Sequence, residues 1–263
     1  MAALYLDRGG VELREEHGAL GIYEGSERRR GIPLLLIDRV VVLANVQLNA
    51  RVLRCLAGAG VPLVVIDPRD GARSASLHPR FSPDAARRIA QYRAYLNGSW
   101  RRAWSHRLLR AKLRAQIIVL ERALEWRPEL RKPIQDGVAT VRRVLGSMVS
   151  QPEAGPGSLT GWEGAAAAAY FDAYRHVFAP SLGFQGRNRR PPRDPVNACL
   201  SLGYTLLHHL TVAALLSHGL DPFVGFYHEV AHGRESLACD LVEPLRPRLD
   251  FWVWRLFQER RLR

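Results

Sequence analysis

The hydrophobic periodicity of this chain changes character near residue 80, and that change divides it into two kinds of structure. Upstream, Leu4-Tyr5-Leu6, Val11-Glu12-Leu13 and Leu20-Gly21-Ile22-Tyr23 are short alternating runs separated by glycine-containing turns, the pattern of half-buried strands. Ile32 to Ile37 and Val40 to Leu43 are continuous apolar runs that predict buried strands, and Val61 to Asp67 predicts another. Asn49 is placed to cap a short helix with Val52, Leu53 and Leu56 on one side and Gly58 and Gly60 at its end. Pro68 to Gly71 reads as a turn and His78 to Pro83 as a linker. Downstream the spacing becomes helical: Ile89, Tyr92, Tyr95 and Leu96, then Leu108, Leu109, Leu113, Ile117 and Leu120. Further helices are expected over residues 134–149, 162–177, 196–217 and 237–245, broken by Arg127-Pro128, Lys132-Pro133 and the Pro/Gly-rich loop 151–158. The expected class is α+β, a small β-rich domain over residues 1–78, a linker over 79–84 and a larger all-helical domain over 85–263.

Charge narrows the partner. The formal net charge is +13, which points to a polyanion. The bases are almost all arginine, Lys112 and Lys132 being the two lysines. Between residues 73 and 114 the chain carries one acid, Asp84, and a run of bases that includes Arg87, Arg88, Arg101, Arg102 and Lys112, with Trp100 and Trp104 among them. A solvated helix face usually mixes both signs; a one-sign run repels itself unless a polyanion neutralises it. A second cluster, Arg187, Arg189, Arg190 and Arg193, lies in a proline-rich loop that either clamps a nucleic-acid backbone or decorates the surface. Cys55, Cys199 and Cys239 are far apart and form no Cys-x-x-Cys pair, so a structural zinc site is not expected and a reducing compartment is. No secretory signal is visible at the N-terminus and no uninterrupted apolar run reaches membrane-spanning length, so the expectation is a soluble cytoplasmic protein with no membrane partner. No nucleotide-binding loop follows Gly58-Ala59-Gly60.

The chemistry concentrates near the end, in Gly225-Phe226-Tyr227-His228 and Gly233 to Pro244. Asp240 and Glu243, three apart, share a face if the segment is helical, and Glu163 in Gly161-Trp162-Glu163-Gly164 could join them. Two or three carboxylates and one imidazole suit a hard divalent ion, Mg²⁺ or Mn²⁺. Each residue also has a plain reading. Thr160 and Glu163 fit a capping box. His228 could simply end an element, and His232 is an equal candidate by composition. Asp240 and Glu243 could form a solvated face paired with Arg246. Two features favour function instead: the apolar neighbours Ala238, Cys239, Leu241 and Val242 suggest that the acids point outward from a buried element, and so basic a chain has little other reason to gather acids beside a histidine.

The words around these residues resemble a known family. Gly161 to Gly164, Arg189 to Ala198, Leu200 to Leu207, Gly219 to Pro222, Gly225 to His228 and Gly233 to Glu243 with Arg246-Pro247 are similar, in order and spacing, to the CRISPR-associated endonuclease/integrase that captures new spacers. The resemblance implies a metal site of Glu163, His228 and Glu243, with Asp240 assisting and His232 outside it. It implies a homodimer formed through the β-rich domain, a small ferredoxin-like companion dimer, and insertion of a short DNA duplex into a CRISPR repeat by attack of its 3′-hydroxyls. Tyr204 and the Arg187–Arg193 loop are expected at the DNA. Two other readings stand beside this one: a non-catalytic DNA-binding scaffold, and a metallohydrolase of small phosphate esters.

Overall fold

A computed structural model describes residues 2–67, 69, 73–78, 82–188 and 191–262. The expected turn at Pro68 to Gly71 falls largely outside the described residues, as do the start of the expected linker, Pro79 to Phe81, and Arg189 and Arg190. Two compact units are present, Met1–Ala85 with Ala213–Leu220, and Ala86–Val212 with Asp221–Arg263.

The first unit holds two four-stranded sheets. One runs β1 (Ala2–Leu6), β5 (Ile37–Val42), β7 (Leu63–Ile66) and β8 (Ser74–Leu77), parallel up to β7 and antiparallel at β8. The other is a meander of β4 (Glu27–Pro33), β3 (Ala19–Glu24) and β2 (Val11–Glu16), with β6 (Val46–Gln47) parallel to β2. Helix α1 (Ala50–Ala59) starts where expected: the Asn49 carboxamide oxygen accepts from the amides of Arg51 at 3.0 Å and Val52 at 3.1 Å. Gly60 ends it in the left-handed region, φ 70°. Leu13, Leu20, Val40, Val52 and Leu56 fill the core between these elements.

Two expectations are corrected here. The run Ile32–Ile37 is not one strand, because Pro33 has no amide to donate and the chain makes a 3₁₀ turn over Leu34–Leu36 before β5 begins. The strands β4 and β8 were not foreseen; both are edge strands, one charged and one small and polar, and neither has a buried face to impose alternation.

The second unit is helical: α2 (Ala85–Leu96), α3 (Gly98–Trp126), α4 (Arg131–Ser150), α5 (Pro156–Arg175), most of α6 (Pro195–Ser217), α7 (Ser236–Val242) and α8 (Arg246–Gln258). The break between α2 and α3 falls at Asn97, whose side chain accepts from the Trp100 amide at 3.0 Å and so starts a new helix. Helix α3 packs on α4, α5 and α8. Helices α4 and α5 pack tightly at Gly137, where a Cβ would stand 2.6 Å from the Cβ of Ala173. Leu113, Leu120, Val141, Tyr170, Tyr174 and Trp254 are essentially sealed from water. Each such side chain contributes about 2 kcal/mol by burial, so α3, α5 and α8 hold fixed relative positions. By length and mean hydropathy α6 is long and apolar enough to cross a membrane, although Asn197, Ser201, Thr205, His208 and His209 interrupt its apolar run. Its Val196 and Leu200, however, are fully buried in this helical core.

Candidate active site

Three elements converge on one ammonium group. Lys112 lies in the middle of α3 with only 8% of its side chain exposed. Its Nζ donates to Glu163 Oε1 from α5 and reaches Glu243 Oε2 at 2.6 Å, from the 3₁₀ turn Glu243–Leu245 that joins α7 to α8. The second oxygen of Glu163 accepts from the Tyr227 hydroxyl at 2.7 Å, and the second oxygen of Glu243 accepts from Arg246 Nε at 2.9 Å. Burial alone pushes the Glu243 carboxyl up, but Lys112 and Arg246 outweigh it and hold it below its usual range. Burial and the adjacent Glu163 push the Tyr227 phenol well up, so it remains a donor.

The capping-box reading of Glu163 is wrong. Helix α5 begins at Pro156, with Gly155 as its cap, so Thr160 already lies inside the helix and its hydroxyl donates back to the Pro156 carbonyl at 3.0 Å. Glu163 is thereby free to face Lys112.

The expectation that Asp240 and Glu243 point outward is also overturned. Asp240 is completely buried and Glu243 is 6% exposed. The physical cause is the loop before α7, whose backbone needs an acceptor. Asp240 Oδ2 accepts from the amides of Phe226 at 2.6 Å and Tyr227 at 3.0 Å, and Oδ1 from the His228 amide at 2.9 Å and its Nδ1 at 2.7 Å. That last bond places the ring proton on Nδ1 and leaves the lone pair on Nε2. Gly225 lets the loop pass α7 closely, since a Cβ there would stand 2.6 Å from the Ser236 carbonyl carbon. His232 is exposed further along the loop.

Behind Glu243 a second layer fixes Arg246. Its guanidinium lies 4.5 Å from the centre of the Tyr204 ring, and that of Arg187 lies 5.2 Å from the same ring. The Tyr204 hydroxyl donates to Asp250, which also accepts from Tyr170 at 2.9 Å. Arg187 is further tied to Asn197 at 2.6 Å and Ser201 at 3.1 Å. Tyr204, expected at DNA, uses its hydroxyl on Asp250 and its ring on the two arginines. Burial lifts the Asp250 carboxyl to about 6, against the pull of the Tyr204 and Tyr170 hydroxyls. The folded protein therefore keeps a proton that an unfolded aspartate releases near pH 4, so stability falls as pH rises from about 4 to about 6. Asp250→Asn is expected to remove roughly 3 kcal/mol of that loss, read as the difference between the two unfolding free energies across the window.

The basic run is less one-signed in space than in sequence. Arg101 pairs with Glu229, Arg102 with Glu153 at 3.3 Å, and Lys112 with the two site carboxylates. Arg87 is exposed on α2 and Arg88 half-buried beside it. Arg101 and Arg102 line a cavity of about 310 Å³ with Leu159, Phe226 and Tyr227, and Trp100 and Trp104 flank Phe226 at 4.8 and 4.9 Å.

Among the described residues no three His, Cys, Asp or Glu side chains form a ready-made metal cage. The donor chemistry nonetheless fits a hard divalent ion: two carboxylates already share one cation, Lys112, and an imidazole is held through Nδ1 so that its Nε2 keeps a lone pair. Sequence reasoning missed Lys112, Tyr227 and Asp250. The first was submerged among arginines, the phenol stood inside the Gly225–His228 motif without a role assigned to it, and the acid carried no motif of its own.

The family model for CRISPR associated protein Cas1 matches residues 4–263. The CRISPR-associated endonuclease Cas1 1 of Thermodesulfovibrio yellowstonii is 34% identical over 268 residues, spanning 100% of this chain and 81% of that protein. A casposase bound to integration product has the same fold, with a TM-score of 0.82 at 24% identity over 100% of this chain and 74% of its own. A chain of a Cas6-RT-Cas1–Cas2 complex superposes with a TM-score of 0.79 at 20% identity, over 100% of this chain and 28% of that longer one. The structural likenesses speak for the fold, and the sequence matches, which run through every element of the site, establish that this chain belongs to the Cas1 family of CRISPR-associated endonucleases.

Proposed function

We propose that this chain joins the 3′-hydroxyl ends of a short DNA duplex to a CRISPR repeat, with Glu163, His228 and Glu243 as its metal-binding catalytic set. The observation that carries this reading is the convergence of Glu163 and Glu243 on one cation beside a histidine whose Nδ1 is held by buried Asp240. A bound Mg²⁺ or Mn²⁺ supplies polarisation of the attacked phosphate and stabilisation of the departing oxygen. Tyr227 and Arg246 orient the two carboxylates, and Asp240 orients the imidazole so that Nε2 offers its lone pair. The incoming 3′-oxygen bonds to phosphorus as the repeat's own 3′-oxygen leaves and takes up a proton. One phosphodiester replaces another, so no nucleotide triphosphate is consumed, in keeping with the missing nucleotide-binding loop.

Arg87, Arg88, Arg101 and Arg102, with the loop that holds Arg187, Arg189 and Arg190, are proposed to follow the DNA backbone, supported by the net charge of +13. A homodimer built through the β-rich unit, working in the cytoplasm with a ferredoxin-like Cas2 dimer, completes the proposal; the Cas2-containing complex of a similar chain supports it. Strand transfer of labelled duplex into a supercoiled repeat plasmid, assayed with Mn²⁺, is expected to drop to background with chelator and in His228→Ala, at unchanged duplex retention. Transfer that survives both treatments overturns the catalytic assignment and leaves the scaffold reading.

A further inference from the structure

Lys112 is the one group of this site that the reaction as described does not use. Lysine is seldom buried unless paired, and here both partners are the carboxylates proposed to hold the metal. The remaining oxygens of those carboxylates are engaged by Tyr227 and Arg246, so the ammonium occupies the oxygen of each that is left for a cation. The residue type matters as well. Thirty-eight positions are basic, and nearly all are arginine. An arginine here would lock both acids through a rigid fork, whereas lysine is a compact charge on a flexible four-carbon stem.

We propose that Lys112 is a displaceable internal cation: its ammonium holds Glu163 and Glu243 together in the metal-free protein and is expelled when a divalent ion takes the same oxygens. This inference rests on the metal-site reading above and deepens it. Like charges exclude one another at hydrogen-bond distance from shared oxygens, so the two cations alternate. In this way the site keeps its carboxylates in register without metal, at the cost of apparent metal affinity.

The test uses the whole wild-type chain and Mn²⁺ alone, with binding followed by calorimetry. Lysine amines are labelled with an activated ester and quantified by mass spectrometry, with exposed Lys132 as internal reference. Mn²⁺ is expected to raise labelling of Lys112 roughly tenfold relative to Lys132, and Lys112→Met is expected to tighten Mn²⁺ binding by about the same factor. If Mn²⁺ binds while Lys112 stays protected, or if Lys112→Met weakens binding, the inference is overturned and the metal site stands. If Mn²⁺ does not bind the wild-type chain at all, the metal reading falls and this inference with it.

Discussion

Glu163→Gln is expected to lower strand transfer by at least about a thousandfold while duplex affinity stays within a factor of about two. The substitution keeps the size of the side chain and one acceptor for the Tyr227 hydroxyl, removes the negative charge, and sets an NH₂ where the second oxygen accepted from Lys112. Lys112 retains Glu243 at 2.6 Å, so the core around α3 keeps its buried ion pair. The stability cost is therefore that of one mostly buried charged contact, about 1.5–3 kcal/mol. The arginines proposed to meet DNA lie on α2, early in α3 and in the loop before α6, away from this carboxyl in the chain. Single-turnover strand transfer, filter binding and a thermal melt on the same preparation separate the outcomes. Parallel loss of binding, melting temperature and transfer marks a structural role instead.

Asp240→Ala is expected to cost about 3–5 kcal/mol and lower the melting temperature by roughly 10 °C, with transfer lost as a consequence. This acid is fully buried and accepts four hydrogen bonds, three from successive backbone amides and one from the His228 ring. Removing it strands buried donors with nothing to bond, each at about 1–3 kcal/mol. A solvated helix-face carboxylate, the plain sequence reading, would change stability by no more than about 0.5 kcal/mol. Calorimetric melts distinguish these magnitudes directly. Asp240→Asn tests the same point more gently: it keeps the volume, but its NH₂ faces amides that also donate.

The division into strands and helices was legible because burial on one face imposes a period, and that period changes near residue 80. Strands β4 and β8 were illegible for the complementary reason: as edges they bury little, and charged or small residues suffice. The acids and histidine of the site were legible as a motif, but their orientations were not. Apolar neighbours of Asp240 suggest an outward carboxylate in a one-dimensional reading. The amides that draw it inward come from Phe226, Tyr227 and His228, earlier in the chain, and no local pattern announces them. Thr160 and Glu163 have capping-box spacing, yet Pro156 sets the start of the helix first. Lys112 reads as one more base in a basic run until the fold brings Glu163 and Glu243 to it. The pairing of Glu243 with Arg246, by contrast, follows from local spacing and is found at 2.9 Å.

Anomalous diffraction at the manganese edge, from crystals of the whole chain grown with Mn²⁺, tests the central claim most directly. The account predicts a peak bounded by the carboxylates of Glu163 and Glu243 and by Nε2 of His228, with the Lys112 ammonium withdrawn from between the acids. Protein active in strand transfer at the same Mn²⁺ concentration, yet showing no peak there and Lys112 still bridging both carboxylates, would contradict it.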